Sequence, residues 1–430
     1  MGSTQLKLRE AEHACAVILH RVERKLVSLR QVIEELKPPV PRGLLNALCL
    51  GVLRNYKLAE RALRLCGHKG STRRSPHGWL PVIAAYEAMF RPSLSLSRIS
   101  EKTGLPEQLL TCIRRMSPED VVRGVKDEAR RLALLYSLPR WVVEELARLN
   151  PPGGVEKLLA SLQEPAPLWI RYNRRLLGPK EALRRLKEAG IEARHDPLLD
   201  DMVEAVSVEP GAPERLSPRL FYIEDRAPAT AVHMLSSFLA PGVRVVDLFS
   251  APGNKVAHLA WRLPVEAFTL DISWRRLVTE KKLHGSQSVD GHMLYAAGDA
   301  ARPPLRGGFD AAIVDPDCTS LGRLAHSPET RLFLERVGRL LLKRTVTLQE
   351  KGLRTAATLV KRGGHVLYTT CTLTLQENED VVRKLVEEEI LEPVEAGPRV
   401  GVPGGVPGSQ RFYPHISRST GGFAAVLRRL

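Results

Sequence analysis

The sequence predicts an α/β protein in three parts. Residues 1–150 read as all-helical, 151–235 as a small α/β module, and 236–430 as an open, mainly parallel sheet with helices on both faces. Three observations predict this. Apolar residues recur at helical spacing through the first 150 residues, punctuated by prolines. A strand-like alternation opens the middle segment. From about residue 236, strand, loop and helix patterns repeat in turn.

In the first part, Ala14-Cys15-Ala16-Val17-Ile18-Leu19 and Leu44-Leu45-Asn46-Ala47-Leu48-Cys49-Leu50-Gly51-Val52-Leu53 carry the apolar spacing of helices with one buried face. Pro38-Pro39, Pro76, Pro92, Pro106, Pro118 and Pro139 separate such stretches, because proline lacks the N–H a helix interior needs. Pro151-Pro152-Gly153-Gly154 reads as a loop before another short helix. In the middle part, Leu168-Trp169-Ile170-Arg171-Tyr172-Asn173 alternates like a strand. Residues 180–189 form an amphipathic helix ending at Gly190, and Phe221-Tyr222-Ile223-Glu224-Asp225 reads as an entry strand to the next domain. Seven strands are expected there: 244–248, 266–270, 293–296, 311–314, 365–369, 411–413 and 422–427. Ligands of such sheets bind beyond the carboxyl ends of the strands.

The chain has 430 residues, enough for two or three domains, and its apolar fraction of 43% allows a sizeable core. Its formal charge is +16, and residues 1–150 hold 26 Lys and Arg against 15 Asp and Glu. Such an excess favours a polyanionic partner, most simply nucleic acid. The alternative is a solvated surface organised into ion pairs. Arg73-Arg74, Arg114-Arg115 and Arg130-Arg131 are candidate phosphate contacts, which would make binding salt-dependent. Six cysteines occur without a C-x-x-C pair, so neither a zinc site nor any other metal site is expected. Met1-Gly2-Ser3-Thr4-Gln5 has no apolar signal core, and no apolar run approaches membrane-spanning length. A soluble, cytoplasmic monomer with reduced thiols is the expectation.

The loop Val245-Val246-Asp247-Leu248-Phe249-Ser250-Ala251-Pro252-Gly253-Asn254-Lys255 runs from a strand into a helix starting near Lys255. It matches neither G-x-G-x-x-G nor G-x-x-x-x-G-K-[ST]. Ser250, Ala251 and Gly253 are small enough for a ligand to approach the backbone, and Asp247 offers a carboxylate in place of phosphate-seeking donors. Asp271 ends the next strand, where an acid accepts ribose hydroxyls. Asp299 follows the third strand, within reach of an adenine amino group. Three acidic strand ends and a non-phosphate loop point to S-adenosyl-L-methionine. Simple helix capping by each Asp is the alternative.

Val314-Asp315-Pro316-Asp317-Cys318 and Tyr368-Thr369-Thr370-Cys371-Thr372 each place a cysteine just past a short apolar strand. At neighbouring strand ends of a parallel sheet, the two thiols would face one cleft. Either alone could be a small buried hydrophobe.

With these motifs the chain resembles the NOL/NOP/Sun family of RNA cytosine-5 methyltransferases. It is most similar to the bacterial branch that modifies 16S ribosomal RNA and carries a NusB-like helical domain. The resemblance rests on the loop 247–255, on Asp315-Pro316-Asp317-Cys318, and on Gly363-Gly364-His365-Val366-Leu367-Tyr368-Thr369-Thr370-Cys371-Thr372. It continues through Gln376-Glu377-Asn378-Glu379 to Arg411-Phe412-Tyr413-Pro414-His415 and Gly422-Phe423. Upstream, Leu48-Cys49-Leu50-Gly51-Val52-Leu53-Arg54 is similar to the helical domain's signature, and Pro167-Leu168-Trp169-Ile170-Arg171-Tyr172-Asn173 to the linker module.

The resemblance implies a Rossmann-like class I methyltransferase domain over 236–430, a NusB-like RNA-binding domain over 1–150 and a linker module between them. It implies ribosomal or transfer RNA as substrate. By the same resemblance Cys371 is the nucleophile, Cys318 assists release, Asp315 hydrogen-bonds the N3/N4 edge of cytosine, and Lys255 lies beside the base. S-adenosyl-L-methionine is then expected on Asp247, Ser250, Ala251, Pro252, Gly253, Asn254, Lys255, Asp271, Arg276, Asp299 and Asp315. The chemistry needs both thiols. Carbon 5 of cytosine is a weak nucleophile until a thiolate adds at carbon 6, and a base must later remove the carbon 5 proton so that the thiolate can leave. A nearby Lys255 would favour the Cys371 thiolate.

The chain departs from the family pattern at several positions. Asp317 stands where the family usually has a second proline, and Thr319-Ser320 replace Ser-Gly. Phe249-Ser250, Asn254 and Glu224-Asp225 also differ, and the later family glutamine is absent near Ala229. A second carboxylate beside Asp315 would help keep Asp315 protonated; alternatively, Asp317 points into solvent. Two other functional readings compete. One is a non-catalytic RNA-binding or ribosome-assembly factor on a methyltransferase scaffold. The other is a methyltransferase acting on protein or a small molecule, which would need no paired thiols.

Overall fold

The computed structural model describes residues 10–430 except residue 71. Met1-Gly2-Ser3-Thr4-Gln5, read above for a signal core, lies outside the described residues. The chain divides into two compact units. One runs up to Gln163 and takes in Leu324–Arg339; the other comprises Glu164–Arg323 and Leu340–Leu430.

The first unit is helical among its described residues, from Ala11–Lys25 to Gly154–Ser161. Four of the prolines that punctuate the sequence stand at helix starts, two of them, Pro106 and Pro139, as N-caps. Pro76 and Pro118 sit in the first turns of Pro76–Phe90 and Pro118–Val122, behind Ser75 and Ser117, which accept N–H bonds as caps. The longest helix of this part, Arg42–Leu65, buries Leu45, Leu48, Cys49, Val52, Leu53, Tyr56, Ala59 and Leu63 on one side. The segment Leu324–Arg339 is bound in by specific contacts. The Leu29 N–H donates to Glu329 Oε1 at 3.2 Å, and Tyr56 Oη donates to Glu335 Oε2 at 2.8 Å. Arg331, 1% exposed, donates to Gln163 Oε1 at 2.7 Å, and burial lowers its pKa to about 9.

The reduced-thiol expectation fails here. Cys15 is bonded to Cys49 and Cys66 to Cys112, with Cα atoms 5.7 and 6.0 Å apart. Linear spacing gave no sign of this, because packing between different helices creates each pair. Only Cys318 and Cys371 are free.

The second unit holds two sheets. The small one contains β1 (Trp169–Tyr172), β2 (Ile191–His195), β3 (Met202–Val208) and β4 (Phe221–Ile223), in the antiparallel order β2-β3-β1-β4 with helix Pro179–Glu188 packed on it. The segment read as an entry strand is therefore β4 of this module, paired with β1 and not part of the large sheet. A three-residue strand has too few side chains to show which sheet it joins.

The large sheet contains β5 (Val243–Asp247), β6 (Val265–Asp271), β7 (Met293–Ala297), β8 (Phe309–Val314), β9 (Val360–Thr370), β10 (Leu391–Pro393), β11 (Val402–Pro403), β12 (Gln410–Phe412) and β13 (Gly422–Arg429). It has nine strands, correcting the expected seven. The two missed, β10 and β11, are short and end in proline, so neither gives a periodic signal. The core β9-β8-β5-β6-β7 is parallel, while β10, β11, β12 and β13 add antiparallel pairings. Val245, Ala311, Ala312, Ile313 and Leu367 are fully buried, as parallel strands covered on both faces must be. This order sets the carboxyl ends of β5, β8 and β9 side by side, which is where Asp247, Asp315 and Cys371 emerge.

Candidate active site

A cavity of about 460 Å³ opens at those strand ends. Its lining brings together Asp247, Ser250, Ala251, Pro252, Asn254, Lys255, Arg276, Asp315, Cys318 and Cys371. Gly253, Asp271 and Asp299 do not line it. Gly253 lies under the loop at φ 92°, Asp271 is held by Arg276 with Nη2–Oδ2 at 2.8 Å, and Asp299 is exposed. None of the three acids caps a helix: Gly253 and Ser273 are the N-caps of the helices after Asp247 and Asp271, and no helix directly follows Asp299. Each accepts the N–H two residues on: Asp247 from Phe249 at 3.2 Å, Asp271 from Ser273 at 2.8 Å, and Asp299 from Ala301 at 2.8 Å. Asp247 differs in environment. It is 2% exposed, and burial together with Glu280 pushes its carboxyl well above the usual range.

The two thiols meet. Cys318 Sγ lies 3.1 Å from Cys371 Sγ, and Ser320 Oγ lies 3.8 Å from the first and 3.6 Å from the second. Their acidities diverge. The Cys318 contact pulls the Cys371 thiol below its ordinary pKa against burial, with help from Ser320 and Arg323. The same contact, burial and the Glu377 charge push Cys318 well up. The Lys255 ammonium pairs with the Asp315 carboxylate; burial opposes its charge, and Asp315, Asp247 and Glu224 together raise its pKa. The Asp317 side chain is exposed and also lines the cavity.

One carboxylate organises both cysteine loops. Glu377, fully buried, accepts from the Thr319 N–H at 2.8 Å, Thr374 Oγ1 at 2.8 Å, Thr345 Oγ1 at 2.9 Å and Gln349 Nε2 at 3.2 Å. Thr319 follows Cys318 and Thr374 follows Cys371, so this acceptor fixes the two loops to one another. Sequence reasoning named the Glu377 motif but not this function, and it missed Ser320, Arg323, Leu341 and Thr345 on the cavity wall. Ser320 could have been found from its place two residues after Cys318; Arg323 has no sequence signal.

The small module reaches the loop as well. Arg171, fully buried between Trp261 and Tyr222, donates to Asn254 O at 2.9 Å and to Glu224 Oε2 at 2.8 Å, and Tyr222 Oη donates to Asn254 Oδ1 at 2.7 Å. The buried cluster Asp201, His233 and His258 has metal-ligating side chains. Arg262 also enters it, with Nη1 2.6 Å from Asp201 Oδ2 and 2.9 Å from His233 Nε2.

A family model described as 16S rRNA methyltransferase RsmB/F matches residues 238–428, and the ferredoxin-like domain model of the same proteins matches 138–208. The chain belongs to the NOL/NOP/Sun family. It is, at that level, an RNA methyltransferase. Among its relatives, a ribosomal RNA small subunit methyltransferase B of Xanthomonas campestris is 27% identical over 90% of this chain and 89% of its own. One of Klebsiella pneumoniae is 26% identical, covering 83% and 84%. The fold matches the crystal structure titled PH0851, with TM-score 0.76 at 21% identity over 98% of this chain and 99% of that one. It also matches NSun6 from Pyrococcus horikoshii, crystallised with SFG, with TM-score 0.59 at 20% identity over 68% and 98%. Among the described residues no helix is long and apolar enough to cross a membrane.

Proposed function

We propose that this protein methylates carbon 5 of a cytosine in ribosomal RNA through a covalent Cys371 adduct, with S-adenosyl-L-methionine as cofactor. The observation that carries the reading is the thiol pair: two sulfurs 3.1 Å apart, of opposite acidity, on one cavity wall. A protein or small-molecule methyltransferase has no use for it.

The cofactor fits the residues present. Asp247 is a buried carboxylate whose hydrogen bond comes from the Phe249 N–H, and the small residues of 250–253 expose backbone to the cavity. Asp247, Ser250, Ala251, Pro252, Asn254 and Arg276 would hold it. When bound, it supplies an electrophilic methyl group on a sulfonium.

The protein's own residues do the rest. The Cys371 thiolate adds to carbon 6, which makes carbon 5 enamine-like. Asp315, fixed by Lys255, accepts from the exocyclic amino group, and that hydrogen bond places the ring over the thiols. Cys318 gives its proton to solvent and then takes the proton from carbon 5. Its raised pKa makes its thiolate the stronger base. Cys371 then leaves and the ring regains aromaticity. The target base must leave its stack to reach the thiols, so a loop or an otherwise flippable cytosine is the substrate. Residues 1–150 bind the RNA backbone.

Incubation with unmodified ribosomal RNA and cofactor, followed by bisulfite sequencing, should give one protected cytosine. Cys371→Ala should lose both the product and any denaturation-resistant protein–RNA adduct, while Cys318→Ala should accumulate the adduct. Loss of the adduct in both variants refutes the role assignment. Tight RNA binding with no methyl transfer identifies a non-catalytic factor.

A further inference from the structure

Helix Trp274–Ser286 carries two fully buried polar side chains four residues apart, Glu280 and His284, and so on one face. That face lies under the loop 250–253. Ser250 Oγ donates to Glu280 Oε2 at 2.8 Å. His284 Nε2 lies 3.0 Å from Gly253 O, a group that only accepts, so this nitrogen carries the proton. His284 Nδ1 then accepts from Tyr295 Oη at 2.9 Å, which fixes a neutral ring. Burial lowers the His284 pKa in the same sense.

The fit is close. A Cβ on Gly253 would come within 2.3 Å of His284 Nε2 and 2.6 Å of Glu280 Cγ, at a φ of 92° that side chains rarely adopt. Glycine at 253 therefore serves this underlying pair, which explains why it does not face the cavity. Neither Glu280 nor His284 lines the cavity or touches the thiols.

We propose that Glu280 and His284 are positioning residues that hold the loop 250–253 in the shape that receives S-adenosyl-L-methionine, and that Glu280 makes this reception pH-dependent. The inference rests on the cofactor reading given above.

The pH dependence follows from what faces Glu280. Asp247 approaches from β5, Thr269 and Asp271 from β6, Tyr295 from β7, and Ser250 from the loop; Arg276 and His284 share its helix, and Lys255 acts on Asp247 from beyond. The cations are committed elsewhere: Arg276 is bonded to Asp271 and Lys255 to Asp315. Burial therefore raises the Glu280 pKa to about 7, against the Ser250 hydrogen bond. Near neutral pH the carboxyl is partly protonated. A cationic cofactor held by Asp247 would favour the ionised Glu280 carboxylate. Binding is then strongest above about pH 7 and weakens as Glu280 takes up its proton below it.

Titration calorimetry of the full chain with S-adenosyl-L-methionine between about pH 6 and about pH 8 tests this. The wild-type Kd should fall roughly tenfold over that range. Glu280→Gln keeps an acceptor for Ser250 and should bind with a Kd that varies less than about threefold over the same range. His284→Phe removes the bond to Gly253 and should weaken binding about tenfold at every pH, with kcat at saturating cofactor retained. Glu280→Gln with the wild-type pH slope, or His284→Phe with wild-type affinity and an unchanged circular dichroism spectrum, overturns the proposal. A wild-type protein that binds no cofactor at any pH refutes the cofactor reading itself, and the inference falls with it.

Discussion

Cys318 and Cys371 share one contact and leave it with different acidities, which is what separates a nucleophile from a base. The Cys318 contact, Ser320 and Arg323 favour a thiolate at Cys371, while the Glu377 charge disfavours one at Cys318. The lowered pKa keeps the Cys371 thiolate present to lower pH than an ordinary thiol, and Cys318 stays protonated to higher pH. Limited iodoacetamide labelling near neutral pH, read by mass spectrometry, should therefore modify Cys371 first. Cys318→Ala should move the labelling midpoint of Cys371 to higher pH, because the donor that sustains the charge is gone. Prior labelling of Cys318 contradicts the assignment. The sequence located both sulfurs through the strand-then-cysteine pattern. It could not assign their acidity, because the determining neighbours come from two separate segments, 315–323 after β8 and 371–377 after β9. Lys255 illustrates the limit: placed beside the base by resemblance, it is paired in the folded chain with Asp315, sixty positions away.

At the scale of elements, two kinds of cross-link hold the site and the helical unit. In the helical unit, Cys15–Cys49 and Cys66–Cys112 close segments of 34 and 46 residues. Loop-closure entropy gives each on the order of 3–4 kcal/mol. Thiol titration of the denatured, unreduced protein should find two free thiols of six, and reduction should lower the unfolding midpoint of the helical unit. Six reactive thiols would refute the pairing. At the site, buried Glu377 joins the loops after β8 and β9 through hydrogen bonds alone. The strands themselves were legible in sequence where they were long and apolar, as in β8 and β9. They were illegible where two or three residues ending in proline sufficed, as in β10 and β11, and for β4 the strand was legible but not the sheet it joins.

At the scale of the whole molecule, part of the basic charge is already partnered. Arg73 lies among Glu23, Glu60 and Glu335, and Arg131 between Glu128 and Glu156. These two of the expected phosphate contacts serve the fold; the ion-pair reading of the basic surface is correct for them. Arg74, Arg115 and Arg130 are exposed and, among the described residues, make no ion pair. Replacing these three with alanine should reduce the slope of log K against log salt by up to about 0.7–0.9 for each phosphate no longer neutralised. Arg73→Ala should instead lower stability and leave the slope unchanged. A salt slope indifferent to the triple replacement removes the phosphate role. The family, the alternating α/β pattern, the loop 247–255 and the two thiols were all legible before folding. Each is written in residues close together along the chain, where spacing and side-chain chemistry are visible. The partner of each charged and sulfur-bearing group emerged only in the folded chain: Lys255 with Asp315, Cys15 with Cys49, Glu280 beneath Ser250. Those pairings join residues tens of positions apart, and their energies depend on burial and on distances of a few ångströms that no linear pattern records.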